Sequence, residues 1–179
     1  MKYFDNYLKI YTKHVAEYDQ IKFDKIVKLI LNIKQNNGKI IIAGNGGSAS
    51  IANHVSVDLT KVCKIRSVTF NESNLITCFA NDYGYEQWLK EGIKSYADKK
   101  DLVILISSSG KSLNIINAAK YCRSKKIKLI TLAGFFGKNL LSKYGNVNLI
   151  VNSDNYNHIE MTHHIWLLCC LDKIIKAKI

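Results

Sequence analysis

The sequence has no proline, no long apolar run and no C-x-x-C motif. The last two absences argue against a membrane-spanning protein and against the common structural zinc motifs. No apolar segment approaches the roughly 20 residues that a membrane-spanning helix requires. The start of the chain, from Met1 to Asp5 and beyond, also lacks the apolar core of a signal peptide. We therefore expect a cytoplasmic protein that has no membrane partner.

The cysteines show no C-x-x-C spacing, which argues against the common structural zinc motifs. There are five of them: Cys63, Cys78, Cys122, Cys169 and Cys170. An odd number of cysteines, most of them among apolar neighbours, favours reduced and buried thiols over a disulfide framework.

The net charge of +12 accompanies an abundance of lysine, asparagine and isoleucine. This compositional bias accounts for the positive charge without a nucleic-acid-binding function. A lysine-rich surface can attract the phosphates of a nucleic acid. The lysines are nevertheless scattered along the chain and form no basic patch interleaved with aromatic residues. The pattern argues against direct nucleic-acid binding, whereas an attraction for small anionic substrates fits the charge.

The composition, 47% hydrophobic and 22% charged over 179 residues, is that of one globular domain spanning 1–179. In the first 37 residues the apolar side chains recur mostly at intervals of three and four, which is typical of amphipathic helices. We predict two helices that end at Asn36-Asn37-Gly38. Such a segment suits packing over a sheet as well as pairing with another subunit.

The stretch from Ile40 to Ser50 passes from a β-branched apolar run to glycines and small hydroxyl residues. The run 40–43 predicts a buried strand, and Gly44-Asn45-Gly46-Gly47-Ser48 predicts a tight turn into a helix. The N–H groups of such a turn and the positive end of the helix can receive a phosphate or carboxylate. Tight turns also need glycine for steric reasons, so this stretch alone leaves both interpretations open.

A second strand end repeats this arrangement. The run 101–106 predicts a buried strand, and Ser107-Ser108-Ser109-Gly110-Lys111-Ser112 follows it before a helix over 113–124. Four serine hydroxyls within six residues can donate several hydrogen bonds to one phosphate group. Capping of the helix would use only one of them, so the cluster favours phosphate binding over capping alone.

Further strands are predicted at 67–70, 127–132 and 147–151, and further helices at 49–61, 74–80 and 86–97. Strands that alternate with helices in this way indicate an α/β fold with a parallel sheet between two helical layers. Ligands of such folds bind at the carboxyl ends of the strands. Both the glycine turn and the serine cluster lie at strand ends of this kind.

The last helix, predicted from about Tyr156 to Lys178, begins with a cluster of histidines and one carboxylate. Glu160 and His164 lie one turn apart on one face, with His163 beside them. Such a pair can ligate a divalent metal or transfer a proton. Histidines at the start of a buried helix also commonly satisfy backbone groups or pack at an interface, and this alternative stays open.

Three segments together resemble the sugar isomerase (SIS) domain family, and within it the phosphoheptose isomerases: Gly44–Ser50 with His54, Asn81–Tyr85, and Ile106–Ser112. The resemblance implies a three-layer α/β/α sandwich with a five-stranded parallel sheet of flavodoxin-like type, preceded by the helical segment. It also implies a homotetramer with active sites at subunit interfaces. The implied reaction interconverts sedoheptulose 7-phosphate and D-glycero-D-manno-heptose 7-phosphate and supplies heptose for lipopolysaccharide or capsule.

The resemblance also implies candidate site residues. Positions that hold the sugar phosphate are matched by Ser48, Ser107, Ser108, Ser109 and Ser112, and other substrate-contacting positions by Asn45, Gly46, Gly47 and Asp82. Some members of the family carry one zinc ion per subunit, and no nucleotide cofactor is implied. His54 matches one zinc ligand and Glu160 another, although Glu160 stands where the family usually has glutamine. Asp58 and His164 are two further candidate ligands.

The sequence departs from the family at two positions that concern the chemistry. Asp58 stands where the family has a glutamate that acts as base. The shorter side chain retracts the carboxylate by roughly 1.5 Å, and a misplacement on that scale can cost about a hundredfold in rate. Leu168 occupies the position of the family's acid histidine, one turn after His164 on the same helical face. We predict that Asp58 acts as base and that His164, with Glu160, acts as acid or metal ligand.

The predicted function is therefore aldose–ketose isomerisation of a phosphorylated sugar. One alternative is a non-catalytic protein of the same fold that binds a phosphosugar or the bacterial replication initiator, because lost activity would leave altered catalytic positions. Another is an isomerase of a different phosphorylated sugar. The grouping of Glu160, His163 and His164 favours retained chemistry over simple loss.

Overall fold

The computed structural model describes residues 2–135, 137 and 139–176, which form one parallel sheet with helices on both faces. The strands are β1 (Ile40–Gly44), β2 (Ser67–Val68), β3 (Leu102–Ser107), β4 (Lys128–Ala133) and β5 (Val147–Ile150). The helices are α1 (Tyr3–Ala16), α2 (Gln20–Gln35), α3 (Gly47–Lys61), α4 (Ser73–Tyr83), α5 (Trp88–Tyr96), α6 (Leu113–Ser124) and α7 (Tyr156–Lys176). The strand order is β2-β1-β3-β4-β5 with every neighbouring pair parallel, which confirms the predicted five-stranded sheet.

The apolar side chains of the strands alternate between two cores, one on each face of the sheet. In β1, Ile40 and Ile42 belong to the first core, whereas Ile41 and Ala43 belong to the second. Because both faces are buried, the strand has an uninterrupted apolar sequence. Helices α2, α3 and α7 cover the first face, and α5 and α6 cover the second. The predicted three-layer α/β/α arrangement, with the flavodoxin-like strand order, is confirmed.

The N-terminal segment forms two helices that differ in burial. Helix α2 turns an apolar stripe into the first core: Phe23, Ile26, Val27, Ile30 and Ile33. Helix α1 buries only His14 among its described residues. It lies against α7, where Nε1 of Trp166 donates to the carbonyl of Val15 over 3.0 Å. The pairing of this segment with another subunit, and the extent of the domain over 1–179, stay predictions.

Most predicted element boundaries differ from the observed ones by one to three residues, including the start of α3 at Gly47, and three of them are instructive. Strand β2 ends at Val68 instead of residue 70, because Thr69 leaves the sheet edge and its hydroxyl donates to Oδ1 of Asn53 in α3. Helix α4 continues through Asp82 to Tyr83 and ends only at Gly84. The φ of Gly84 is 84°, a value that glycine adopts readily and residues with a side chain disfavour. Helix α5 begins at Trp88, two residues later than predicted. The last two residues predicted for α7, 177 and 178, lie outside the described part of the chain.

The pairing of β1 with β3 fixes the site. Gly44 and Ile106 are register partners, so the glycine turn and the serine cluster leave the sheet side by side. At the opposite edge the fully buried carboxylate of Asp101 accepts hydrogen bonds from the backbone N–H of Lys39 at 2.9 Å and from its Nζ at 2.5 Å. This contact joins the start of β1 to the start of β3 and holds the register.

The cysteines are all unbridged in the structure, but the prediction that they are buried is only partly right. Cys63, Cys122 and Cys170 are buried, and burial raises the pKa of the Cys122 and Cys170 thiols to about 12. Cys78 and Cys169 are exposed because each lies on the outer face of its helix.

None of the helices in the described ranges is long and apolar enough to cross a membrane.

Candidate active site

The glycine turn brings the start of α3 to the sheet edge. Gly46 adopts a φ of 54°, a conformation that side chains disfavour. Gly44 is needed for a different reason, since a Cβ there would lie 2.6 Å from the Cβ of Ser48. Ser48 is buried, and its backbone N–H donates to the carbonyl of Asn45 over 3.0 Å. The first turn of α3 therefore faces the space above the strand ends, as anion binding requires.

The serine cluster encloses that space from the other side. Ser107 and Ser108 are each 5% exposed, and the Oγ atoms of Ser107 and Ser112 lie 3.4 Å apart. Ser112 occupies the N-cap position of α6 but makes no capping hydrogen bond with its side chain. Capping of α6 by Ser112 therefore does not explain the cluster.

A cavity of about 140 Å³ lies between the two loops. It is lined by Asn45, Ser48, Ile106, Ser107, Ser108, Ser109, Ser112, Tyr156 and Glu160. Six of the predicted substrate-binding residues are thus brought together by the fold, namely Asn45 and the five serines. Asp82 lies elsewhere in this chain: it is exposed near the end of α4, and its contacts are with Asn81 and Cys78.

Glu160 places a carboxylate at the wall of this cavity. Its Oε1 lies 3.4 Å from Oγ of Ser108, and a Cβ on Gly47 would overlap its carboxylate. The carboxylate thus lies at the N-terminus of α3, where the helix dipole stabilises a negative charge. Gly47 is required here for a close approach rather than for its turn conformation. The cavity thus combines hydrogen-bond donors that suit an anion with one negative group at its wall.

Three predicted catalytic or metal-binding residues form a chain of contacts between α3 and α7. Nε2 of His164 lies 2.9 Å from Nδ1 of His54, and Nε2 of His54 lies 3.4 Å from Oδ2 of Asp58. The side chain of His54 is 50% exposed and that of Asp58 33%. Burial lowers the pKa of His164, and the neighbouring His54 lowers it further, while Asp58 opposes the shift.

These contacts are compatible with one arrangement of protons. If Nε2–H of His164 donates to Nδ1 of His54, then Nε2–H of His54 donates to the Asp58 carboxylate. Nδ1 of His164 is left without a hydrogen-bond partner among the described residues. An imidazole oriented by a second group that ends in a carboxylate is suited to proton transfer.

The residues predicted to hold zinc have suitable donor atoms but not a suitable arrangement. Both ring nitrogens of His54 are engaged, and the Glu160 carboxylate contacts Ser108 and Gly47. Within 2–135, 137 and 139–176, no group of three or more His, Cys, Asp or Glu side chains is arranged to hold a metal ion. Zinc binding therefore stays a prediction.

His163 has a structural role. It is fully buried, and its Nε2 lies 3.1 Å from the carbonyl oxygen of Ala133 at the end of β4. Burial lowers the pKa of its imidazole to about 4. The sequence leaves two roles open for these histidines. His163 hydrogen-bonds to a backbone carbonyl, whereas His164 contacts the polar side chain of His54. Leu168 packs against the first core.

Two residues near the cavity are missed by sequence reasoning. Tyr156 lines the cavity and contacts Phe135, with the ring centroids 5.4 Å apart and the ring planes tilted by 59°. Asn114, in α6, exchanges hydrogen bonds with Asn45. No sequence pattern could reveal this second contact, because its partners are 69 positions apart.

Comparisons with known proteins agree on one family. The family model of the SIS domain matches residues 2–134. A phosphoheptose isomerase of Helicobacter pylori (strain ATCC 700392 / 26695) is 35% identical over 156 residues, 82% of this chain and 81% of that relative. One of Aliarcobacter butzleri (strain RM4018) is 34% identical over 155 residues, 83% and 82% of the two chains.

Two solved structures share the fold over nearly their whole length. A phosphoheptose isomerase from Francisella tularensis superposes with a TM-score of 0.88 at 25% identity, and the match covers 98% of this chain and 100% of that chain. The enzyme from Neisseria gonorrhoeae has a TM-score of 0.85 at 25% identity, covering 95% and 96% of the two chains.

Proposed function

This chain belongs to the SIS domain family and, within it, to the phosphoheptose isomerases, and we propose on that basis that it is an aldose–ketose isomerase of a sugar phosphate. Its substrate pair is sedoheptulose 7-phosphate and D-glycero-D-manno-heptose 7-phosphate. The observation that supports this function best is the serine-lined cavity at the carboxyl ends of β1 and β3, with a histidine chain on the adjoining helices.

The cavity has the chemistry of a phosphate site. Hydroxyl groups of Ser107, Ser109 and Ser112 converge with the first turn of α3, and each hydroxyl can donate one hydrogen bond. Hydrogen bonds to a charged oxygen are stronger than neutral ones. The net charge of +12 adds a long-range attraction for an anionic substrate.

The distance between the cavity and the histidine chain suits a phosphorylated seven-carbon sugar. His54 lies seven residues after Gly47 in α3, which corresponds to roughly 10 Å along the helix. This is the length scale of an extended heptulose chain with its phosphate. A substrate whose phosphate occupies the serine cavity can therefore extend along the seam between α3 and α7 toward His54.

The reaction moves one proton between adjacent carbons and another between their oxygens. A base removes a proton from C1 of the ketose to give an enediol, and return of a proton to C2 gives the aldose while the hydroxyl proton passes from O1 to O2. Asp58 as base and His164 as acid remain the predicted roles. The contacts add His54 as the link between them, so that the imidazolium form of His164, which can donate a proton from Nδ1, is stabilised by Asp58 through His54.

The test is incubation with sedoheptulose 7-phosphate in deuterated water, with unphosphorylated sedoheptulose as the control. We expect an aldose phosphate as product and deuterium at the reacting carbon, and no reaction with the control sugar. Absence of both product and exchange would overturn the proposal. Binding without exchange would instead indicate a non-catalytic phosphosugar-binding protein, and a panel of phosphorylated ketoses would reveal a different substrate.

A homotetramer with active sites at subunit interfaces is a further proposal. Exposed aromatic side chains on α1 support it, since Tyr3 is 85% and Phe4 64% exposed. An interfacial site would also give the exposed Asp82 a place next to a substrate held by another subunit. Light scattering after size-exclusion chromatography tests the assembly, and a monomer at micromolar concentration would contradict it.

Zinc, cytoplasmic location and the supply of heptose to lipopolysaccharide or capsule are also proposals. Imidazole and carboxylate donors on α3 and α7 support zinc, although binding would require His54 and His164 to separate. Metal analysis of the purified protein and of His54→Ala decides the question. Equal zinc content in the two proteins would remove His54 from the ligand set.

A further inference from the structure

Two asparagine side chains join the loops of the phosphate cavity. Nδ2 of Asn45 donates to Oδ1 of Asn114 over 3.0 Å, and Nδ2 of Asn114 donates to Oδ1 of Asn45 over 2.9 Å. Asn45 belongs to the glycine turn and lines the cavity. Asn114 is the second residue of α6 and lies two positions after Ser112, the last residue of the serine cluster. The amide pair therefore connects the turn after β1 to the loop after β3.

Burial gives this pair its rigidity. Asn114 is 2% exposed, and the residues after it, Ile115 and Ile116, belong to the second core. A buried amide loses its hydrogen bonds to water and needs protein partners, and Asn45 supplies both an acceptor and a donor. The pair uses one N–H and one lone pair of Asn45, so a second N–H and a second lone pair remain for a ligand in the cavity.

We propose that Asn114 is a positioning residue for phosphosugar binding. It holds the amide of Asn45 in one orientation and fixes the glycine turn relative to the serine cluster, so that both loops grip the same substrate. Asn114 does not itself line the cavity and acts only through Asn45. The inference rests on the proposed function, because it assigns Asn45 a contact with the substrate of that isomerase.

Two substitutions separate the effects of Asn114. Asn114→Ala removes a donor and an acceptor together, and the Asn45 amide then becomes free to rotate. Asn114→Asp keeps an acceptor for Nδ2 of Asn45 but cannot donate to its Oδ1. It also places a negative charge behind a cavity that takes an anion. We therefore expect phosphosugar affinity to fall in the order wild type, Asn114→Ala, Asn114→Asp.

The experiment is calorimetric titration with sedoheptulose 7-phosphate and with inorganic phosphate, together with steady-state kinetics. We expect Asn114→Ala to raise Kd and KM for the sugar roughly fivefold to tenfold, the effect of one or two hydrogen bonds, with a smaller change in kcat. In an Asn45→Ala background the same substitution should have no further effect, because no amide is left to orient.

Asn117→Ala is the matched control. Asn117 lies one turn further along α6, where its Nδ2 donates to the carbonyl of Glu86 over 3.0 Å, away from the cavity. A purely structural role for Asn114 predicts that both variants lower the melting temperature and neither changes Kd. An unchanged Kd in Asn114→Ala, or additive losses in the double variant with Asn45→Ala, would overturn the proposal.

The outcomes distinguish this inference from the proposed function. If the wild-type protein binds sedoheptulose 7-phosphate without isomerising it, the proposed function fails and the Kd series still decides the role of Asn114. If the wild-type protein binds neither the sugar phosphate nor inorganic phosphate, both proposals fail. If Asn114→Ala does not fold, Asn114→Leu, which is close to asparagine in size and removes both hydrogen bonds without adding a charge, decides by the same Kd criterion.

Discussion

The serine-lined cavity and the histidine chain lie on the same side of the sheet but are built in different ways. The cavity is formed by loops at the ends of β1 and β3, and its serines 107 and 108 are buried. The chain from His164 through His54 to Asp58 lies on the seam of two helices, and half of the His54 side chain is exposed. The binding end of the site is thus held by the sheet, whereas the chemical end is held by side-chain contacts at the surface.

This difference indicates which part of the site tolerates change. Strand register fixes the two loops, so the cavity keeps its shape as long as β1 and β3 pair. Packing between α3 and α7 fixes only their backbones, so a carboxylate or imidazole one helical turn away on the same face can take over a role. Both departures from the family, Asp58 for glutamate and Leu168 for histidine, lie in this more tolerant part of the site.

Removal of His164 should have the largest effect and should divide the two regions. We expect His164→Ala to lower kcat by about a thousandfold, the scale of general acid–base catalysis, while Kd for sedoheptulose 7-phosphate is unchanged. Deuterium exchange and calorimetry measure the two quantities. Asp172→Asn, an exposed position two turns further along α7, is the control. Unaltered turnover in His164→Ala would remove this residue from the mechanism.

Removal of two serine hydroxyls tests the other region. The double variant Ser107→Ala/Ser109→Ala loses two hydrogen bonds to a charged group, so KM should rise on the order of a hundredfold or more. Deuterium exchange at saturating substrate should persist, because the histidine chain is intact. Ser124→Ala removes a hydroxyl from the end of α6, where it donates to the Tyr121 carbonyl, and serves as control. Equal effects of the two changes would contradict a phosphate site.

The pH dependence of stability tests the burial of His163. Since burial lowers the pKa of His163 from 6.5 to about 4, the unfolded chain takes up a proton that the folded protein does not. Stability is therefore complete above pH 6.5 and falls by about 3 kcal/mol as the pH decreases to 4. In His163→Gln, urea unfolding should show a smaller loss between these pH values. An unchanged loss would assign the pH dependence to other groups.

The smallest expected effect concerns the charge at the cavity wall. Glu160→Gln keeps the shape of the side chain but removes a negative charge from the pocket that we propose to hold phosphate. Repulsion through a partly hydrated site is modest, so Kd for inorganic phosphate should decrease by roughly threefold to tenfold. Calorimetry at two salt concentrations measures this, and the difference should shrink at high salt. Weaker binding in Glu160→Gln would show that the carboxylate assists the ligand.

Several parts of the molecule could be predicted from local sequence. An apolar run such as 101–106 specifies a buried strand, and the serines after it specify polar groups at the strand end. The apolar runs predict all five strands, and the family resemblance implies the same count. The predicted ends of helices and strands are less accurate, as the extension of α4 through Asp82 shows. Here the helix ends only at Gly84, which adopts the conformation that terminates it.

The alternating α/β order and the two polar loops follow from local sequence, because a strand, a glycine turn and a serine cluster are each encoded within a few adjacent residues. Long-range packing sets the contacts of His164 with His54, of Glu160 with Gly47 and of Asn45 with Asn114. Each of those contacts joins residues far apart in the chain. Their geometry depends on how α3, α6 and α7 pack against the sheet, which no local pattern contains.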